Sequence, residues 1–134
     1  MAYSLIKIFS SFVAIFFVVI MFSGCTPNYE TISPEEAQKI LAEEKDYILI
    51  DVRTLSEYEK KHIPGAILLP IEEIRNGSVE KVLPDKKQKI LIYCWTGRRA
   101  EDSAVMLAEM GYSNVINFGG LVEWEGEVEG SEVD

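Results

Sequence analysis

The chain has 134 residues, of which 22 are acidic and 13 are basic, so its formal net charge at pH 7 is -9. This length allows one domain with a modest hydrophobic core. The excess of negative charge argues against binding to nucleic acid and against electrostatic binding to anionic lipids. The composition therefore favours a single acidic domain that recognises neither polynucleotides nor anionic membrane surfaces.

The N-terminal residues, 1–24, have the pattern of a signal peptide. Lys7 precedes an apolar run over residues 12–22, which is short for a segment that spans a bilayer. Residues 22–25 read Phe-Ser-Gly-Cys and resemble a bacterial lipobox, in which the cysteine is lipidated and becomes the new N-terminus. The alternative is an uncleaved anchor in which Cys25 is incidental. Both interpretations predict a membrane-attached protein outside the cytoplasm, on the periplasmic side or at the cell surface.

After a membrane-proximal linker at residues 25–29, the pattern of apolar, capping and turn residues predicts alternating strands and helices. The predicted strands are residues 29–32, 47–50, 66–69, 90–93 and 114–118. Helices are predicted from Pro34, with Ser33 and Glu36 as a capping box, at residues 56–61, and once or twice within residues 71–82. The last predicted helix covers residues 100–110, and Gly111 is expected to terminate it. This alternation predicts an α/β fold with a mainly parallel sheet covered by helices on both faces. The acidic residues 127–134 are expected to form a solvated, frayed tail.

The chain has two cysteines, Cys25 and Cys94. If Cys25 carries lipid, Cys94 has no partner for an internal disulfide. Cys94 follows a predicted strand and precedes a predicted helix, whose N-terminal N–H groups favour negative charge and hence the nucleophilic thiolate. Arg98 and Arg99 add positive charge and can form bidentate bonds to an anion. The sequence therefore predicts a reactive cysteine in a loop that binds a small oxyanion.

Residues 94–99 read Cys-Trp-Thr-Gly-Arg-Arg and resemble the active loop of rhodaneses, Cys-x-x-Gly-x-Arg. Two further segments are similar to that family and follow in the expected order. The first contains Asp51-Val52-Arg53, Glu57-Tyr58 and His62-Ile63-Pro64-Gly65-Ala66, and the second contains Phe118-Gly119-Gly120 and Trp124. The resemblance implies a single rhodanese-like domain over residues 30–126, with a five-stranded sheet and the active loop after the fourth strand.

The resemblance to rhodaneses also implies a sulfurtransferase. Cys94 would take a sulfane sulfur from a small anionic donor such as thiosulfate, hold it as a covalent persulfide and pass it to cyanide or a thiol. No other cofactor is implied. The backbone N–H groups of residues 95–99 would hydrogen-bond the persulfide. The proposed cradle consists of Trp95, Thr96, Gly97, Arg98 and Arg99, and in it Gly97 permits the tight turn, Arg98 steers the donor and Arg99 stabilises the anion.

Other residues in these segments have two interpretations each. Trp95 is expected to form a pocket wall or to be an exposed loop aromatic. Asp51 and Arg53 are expected either to support the active loop through a charge-assisted hydrogen bond or to form an ordinary ion pair. His62 is expected to be structural, as are Gly119, Gly120 and Trp124. No metal is expected, because no Cys/His cluster has the spacing of metal ligands.

Two rival functions remain. Phosphatases and arsenate reductases of the cysteine type have their arginine one residue further from the cysteine, at the position of Ala100. The shorter loop favours sulfur over a tetrahedral phosphate. The second rival is a persulfide relay without free turnover, or a protein-binding module, tethered to the membrane. The protein is expected to act as a monomer.

Overall fold

The computed structural model describes residues 27–132. The predicted signal peptide, its lipobox and Cys25 lie outside this range, as do the first residues of the linker and the last two residues of the acidic tail. Within residues 27–132, no helix is long and apolar enough to cross a membrane.

Five strands form one sheet in the order β1-β5-β4-β2-β3, and every neighbouring pair is parallel. The strands are β1 (Glu30–Thr31), β2 (Ile48–Asp51), β3 (Ile67–Leu68), β4 (Ile90–Cys94) and β5 (Val115–Gly120). The helices are α1 (Pro34–Glu43), α2 (Leu55–Lys60), α3 (Ile71–Arg75) and α4 (Arg98–Glu109), and a short 3-10 helix spans Leu121–Glu123. The predicted α/β fold with a five-stranded parallel sheet is confirmed, and β4 is its fourth strand.

Alternation along the strands divides the core into two layers, because successive side chains of a strand point to opposite faces of the sheet. On one face the buried side chains of β2 and β4 pack with residues of α3 and α4, and this layer contains Ile50, Ile92, Cys94, Ile74 and Leu107. On the other face Leu49, Leu91, Tyr93 and Phe118 pack with Ala37 of α1. Helices therefore cover both faces, and Cys94 belongs to the face covered by α4.

Two helices begin with the same hydrogen-bonded motif. At α1, Ser33 Oγ accepts a bond from the Glu36 N–H at 3.2 Å, and Glu36 Oε2 accepts one from the Ser33 N–H at 2.9 Å. At α2, Thr54 and Glu57 form the equivalent capping box, which satisfies N–H groups that a helix start leaves unpaired. The first box is predicted from the sequence. The second is not, since the helix was expected to begin at Ser56.

Helix α4 begins at Arg98, earlier than the predicted start at Ala100. Gly97 is its N-cap, so Arg98 and Arg99 lie in the first helical turn rather than in the loop. The helix ends before Gly111, which has a positive φ of 93° and is the predicted terminating glycine. In the segment predicted to hold one or two helices, the structure has α3 alone followed by turns, and Gly77 with φ 72° lies just after it.

The prediction of a frayed C-terminal tail is wrong as far as residue 132. The backbone of Glu129 forms an antiparallel bridge with His62, with N–H to O distances of 2.7 and 2.8 Å. Further on, the Ser131 N–H donates to Glu59 O at 2.9 Å and the Glu132 N–H to Lys60 O at 2.9 Å. Because these backbone groups pair with the end of α2, the acidic segment is held against the domain although its carboxylates face solvent.

Candidate active site

Cys94 is the last residue of β4, and its side chain is buried, with 1% of its surface exposed. Its Sγ atom accepts a hydrogen bond from the Gly97 N–H at 3.0 Å. Gly97 has a φ of 98°, and a Cβ atom at this position would lie 3.2 Å from the Gly119 Cα. A glycine is therefore required to turn this N–H toward the sulfur.

The end of β5 packs against the backbone of the active loop. A bulge between Ile92 and Cys94 brings Cys94 opposite Gly120. A Cβ atom on Gly120 would lie 2.2 Å from the Trp95 carbonyl oxygen, which only a glycine avoids. The Val122 N–H donates to that same oxygen at 3.2 Å. Gly120 therefore has a packing role, because the absence of a side chain lets the loop backbone at Trp95 lie directly against the end of β5.

Arg99 is paired with Glu57, a residue that the sequence analysis did not place in the site. Arg99 Nη1 donates to Glu57 Oε2 at 2.9 Å and Nη2 donates to Oε1 at 2.7 Å. The two side chains are 35% and 33% exposed. The hydrogen bonds from Arg99 lower the pKa of Glu57 to about 2. The bonds to Glu57 in turn raise the pKa of Arg99, and Cys94 adds a smaller contribution. Arg99 lies in the first turn of α4, the helix whose N-cap Gly97 donates to Cys94 Sγ.

A cavity of about 290 Å³ lies beside the active loop. Its lining residues combine one aromatic side chain with charged groups of both signs: Arg53, Glu57, Lys60, Lys61, Trp95 and Glu132. Trp95 is 43% exposed, so it is both a wall of this cavity and an exposed loop aromatic. Thr96 and Arg98 are also exposed, which leaves the outer surface of the loop open to solvent.

Asp51 and Arg53 form a buried ion pair beyond the end of β2. Arg53 Nη2 donates to Asp51 Oδ2 at 2.6 Å, and Arg53 Nε donates to Oδ1 at 2.9 Å. The guanidinium also donates to the Lys61 carbonyl. Within residues 27–132, the hydrogen bonds of these two side chains go to each other, to their own backbone and to Lys61, not to residues 94–99. The geometry is that of the structural ion pair, the second of the two expectations.

His62 contacts Tyr58 and Glu129 in the structure. Its Nδ1 is 2.7 Å from the Tyr58 carbonyl oxygen and its Nε2 is 3.1 Å from Glu129 Oε1. The imidazole stacks on the Tyr58 ring with centroids 3.7 Å apart. These contacts give His62 a structural place between α2 and the C-terminal segment. Among residues 27–132, no three His, Cys, Asp or Glu side chains are grouped so as to hold a metal ion.

The sheet brings together most of the residues that the sequence singles out. Asp51, Cys94 and Gly120 end β2, β4 and β5 at the same edge, as expected for parallel strands. The missed residue is Glu57, and the signal that could have found it is the Thr-x-x-Glu capping pattern of residues 54–57. That pattern places the glutamate in the first turn of a helix that starts at this edge.

Comparisons with known proteins place these features in a family. The family model described as "Rhodanese-like domain" matches residues 33–127. The chain is 39% identical over 72 residues to the thiosulfate sulfurtransferase PspE of Escherichia coli strain K12, an alignment that covers 54% of this chain and 68% of the relative. It is 38% identical over 93 residues to the putative sulfur carrier protein YrkF of Bacillus subtilis, and this alignment covers 69% of this chain and 48% of the relative. A solved structure described as a rhodanese with anions from E. coli superimposes with a TM-score of 0.58 and 33% identity, covering 63% of this chain and 99% of the other.

Proposed function

The chain belongs to the family of rhodanese-like domains and is a rhodanese-type sulfurtransferase, and we propose that it moves a sulfane sulfur through a persulfide on Cys94. The proposed donor is a small anion such as thiosulfate, and the proposed acceptor is cyanide or a thiol. The observation that carries the proposal is the position of Cys94 Sγ, which accepts the Gly97 N–H at the start of α4, the helix whose first turn contains Arg99.

In the first step the Cys94 thiolate attacks the outer sulfur of thiosulfate. The new Sγ–S bond forms as the S–S bond of thiosulfate breaks, and sulfite leaves with the electron pair. The product is a persulfide that carries one negative charge on its terminal sulfur. In the second step cyanide or a thiolate attacks that sulfur, which gives thiocyanate or an acceptor persulfide and returns the Cys94 thiolate.

The residues around Cys94 suit the charge that develops in both steps. The first turn of a helix leaves backbone N–H groups without intrahelical partners, and its dipole favours an anion. The Gly97 N–H is directed at the sulfur, and Arg99 supplies a full positive charge at the same helix end. Fixed donors of this kind stabilise an anion without reorganising solvent.

The test is the intact mass of the full-length protein before and after incubation with thiosulfate, with Cys94→Ser as the control. We expect a gain of one sulfur in the native protein, which cyanide or a thiol then removes, and no gain in the variant. A folded native protein that gains no sulfur would refute thiosulfate as the donor, and a variant that gains as much as the native protein would refute persulfide formation on Cys94.

Transfer from a protein persulfide is the second candidate function. Cys94 is buried whereas Trp95 beside it is 43% exposed, and tryptophan is enriched at protein–protein interfaces relative to the rest of the surface. The resemblance to a putative sulfur carrier protein supports this alternative. In the mass experiment it predicts no adduct with thiosulfate and a Trp95-dependent adduct when a protein persulfide is the donor.

The cellular location is a proposal that rests on the sequence of the N-terminal residues. The lipobox-like residues 22–25 support a lipoprotein attached through Cys25 on the extracytoplasmic side of a membrane. Cys25→Ser is then expected to appear in the soluble fraction, whereas the native chain and Cys94→Ser sediment with membranes. Retention of Cys25→Ser in the membrane fraction would favour an uncleaved anchor.

A further inference from the structure

The Arg99 guanidinium is only partly occupied by its partner. Arginine has five N–H donors in a planar arrangement, and the two bonds to Glu57 use one donor on each of the terminal nitrogens. The other three donors point outward in the same plane, along the other edges of the guanidinium. Because Glu57 fixes both terminal nitrogens, it sets the direction in which those remaining donors point.

Glu57 is itself held rigidly. It is the third residue of α2, and its Oε2 accepts bonds from the Thr54 N–H at 3.0 Å and the Thr54 Oγ1 at 2.9 Å in addition to the bond from Arg99. The motif that starts α2 thus fixes the carboxylate, and the carboxylate fixes the arginine. With its pKa near 2, Glu57 remains ionised throughout the pH range in which a thiol reacts.

Two opposite effects of Glu57 on Cys94 are conceivable. Its negative charge partly cancels the positive charge of Arg99, which disfavours the thiolate and the persulfide anion. Its two hydrogen bonds hold Arg99 in one orientation, which favours them. The pair is about one third exposed, so solvent screens the charge effect. An unpaired arginine at such a surface would sample many rotamers, so orientation is expected to dominate.

We propose that Glu57 is a positioning residue for sulfur transfer, which fixes the Arg99 guanidinium so that its free donors stabilise the anionic sulfur on Cys94. The inference rests on the proposed function and deepens it. It extends the active site from the loop to the start of α2, a segment 42 residues earlier in the chain.

The chain provides a matched control for this role. Glu36 has the same place in the capping box of α1, and within residues 27–132 it forms no ion pair. Glu57→Gln and Glu36→Gln therefore make the same change to a capping box, and only Glu57→Gln removes a carboxylate that is paired with Arg99. The loss of stability from a weakened cap is expected to be similar in the two variants.

Two rates are measured for the full-length protein and both variants. The first is steady-state sulfur transfer from thiosulfate to cyanide. We expect Glu57→Gln to lower kcat about tenfold with little change in KM, because the interaction is used in the transition state. The second is alkylation of Cys94 by iodoacetamide near neutral pH, which we expect to slow severalfold because the thiolate is less well stabilised. Glu36→Gln should match the native protein in both.

The sign of the alkylation result decides between orientation and neutralisation. Faster alkylation in Glu57→Gln would show that Glu57 acts by cancelling the charge of Arg99, and it would overturn the proposal. Equal rates in Glu57→Gln and Glu36→Gln would overturn it as well, since Glu57 would then act only as a cap.

Arg99→Ala, alone and combined with Glu57→Gln, completes a double-mutant cycle. If Glu57 acts through Arg99, Glu57→Gln should slow neither reaction further in the Arg99→Ala background; a full additional effect would contradict the proposal. Alkylation does not depend on sulfur transfer. A native protein that takes no sulfur from thiosulfate but shows the expected alkylation pattern would refute the proposed function and leave the role of Glu57 standing.

Discussion

Two pairs of an arginine with a carboxylate lie near the active loop, and they differ in burial. Asp51 and Arg53 are almost completely buried and bond to each other and to the Lys61 carbonyl. Glu57 and Arg99 are about one third exposed, and Arg99 lies in the first turn of α4, the helix that follows the Cys94 loop. Removing one partner of a buried pair leaves an uncompensated charge in the interior, whereas an exposed pair contributes little to stability. A two-bond pair of arginine and carboxylate thus serves the fold in one place and is available for chemistry in the other.

The largest effect is expected from breaking the buried pair. Arg53→Ala leaves the Asp51 carboxylate buried without its partner and should lower the free energy of unfolding by about 3–5 kcal/mol. Urea denaturation measures this loss, with Arg99→Ala as the matched control. A cost for Arg53→Ala no greater than that for Arg99→Ala would remove the distinction between the two pairs.

The converse change should affect rate rather than stability. Arg99→Ala is expected to slow sulfur transfer by about a hundredfold or more, as for the loss of a positioned oxyanion donor. Its free energy of unfolding should fall by no more than about 1 kcal/mol, because the pair is partly solvated. Initial rates with thiosulfate and cyanide measure the first effect. An unchanged rate would assign stabilisation of the anion to the backbone N–H groups alone.

The smallest effect is a pH dependence of stability that the exposed pair should show through Glu57. The pKa of Glu57 is lowered from 4.5 to about 2 in the folded protein, so the unfolded chain binds more protons between these values. The contribution of Glu57 is therefore fully present above about pH 4.5 and is lost as the pH falls through about 2.

The contribution of Glu57 should amount to less than about 1 kcal/mol, since solvent screens the pair. Urea denaturation of the native protein, Glu57→Gln and Glu36→Gln over pH 2–5 measures it. The difference between native protein and Glu57→Gln should shrink toward the acid end of this range. A constant difference would show that the ionised form of Glu57 is not the stabilising one.

The sequence predicts what depends on local pattern. The order of strands and helices, the capping box at Ser33 and the position of the Cys94 loop after the fourth strand follow from periodicity, turn chemistry and the resemblance to rhodaneses. The terminating glycine, Gly111, follows from its place after an apolar helix pattern. Each of these signals is carried by residues close together in the chain.

The features that were missed depend on contacts between distant segments. Glu57 meets Arg99 only because β2 and β4 are neighbours in the sheet. The choice between two roles for Asp51 and Arg53 depends on burial, which their spacing does not reveal. The C-terminal segment looked like a solvated tail because its acidic side chains do face water, while its backbone pairs with His62 and the end of α2. Amino-acid composition reflects the side chains and does not predict such backbone hydrogen bonds.

In the parallel sheet all amino ends of the strands lie on one side and all carboxyl ends on the other. Every strand starts at one edge and ends at the other, so the chain enters at Glu30 on the edge opposite to Cys94. A strand of the length of β4 separates the two edges by roughly 15 Å at about 3.3 Å per residue. Any segment that precedes β1 would therefore join the domain at the end of the sheet opposite to Cys94. With a lipid on Cys25, the chain would run from the membrane to the amino ends of the strands, and the Cys94 loop would lie at their carboxyl ends.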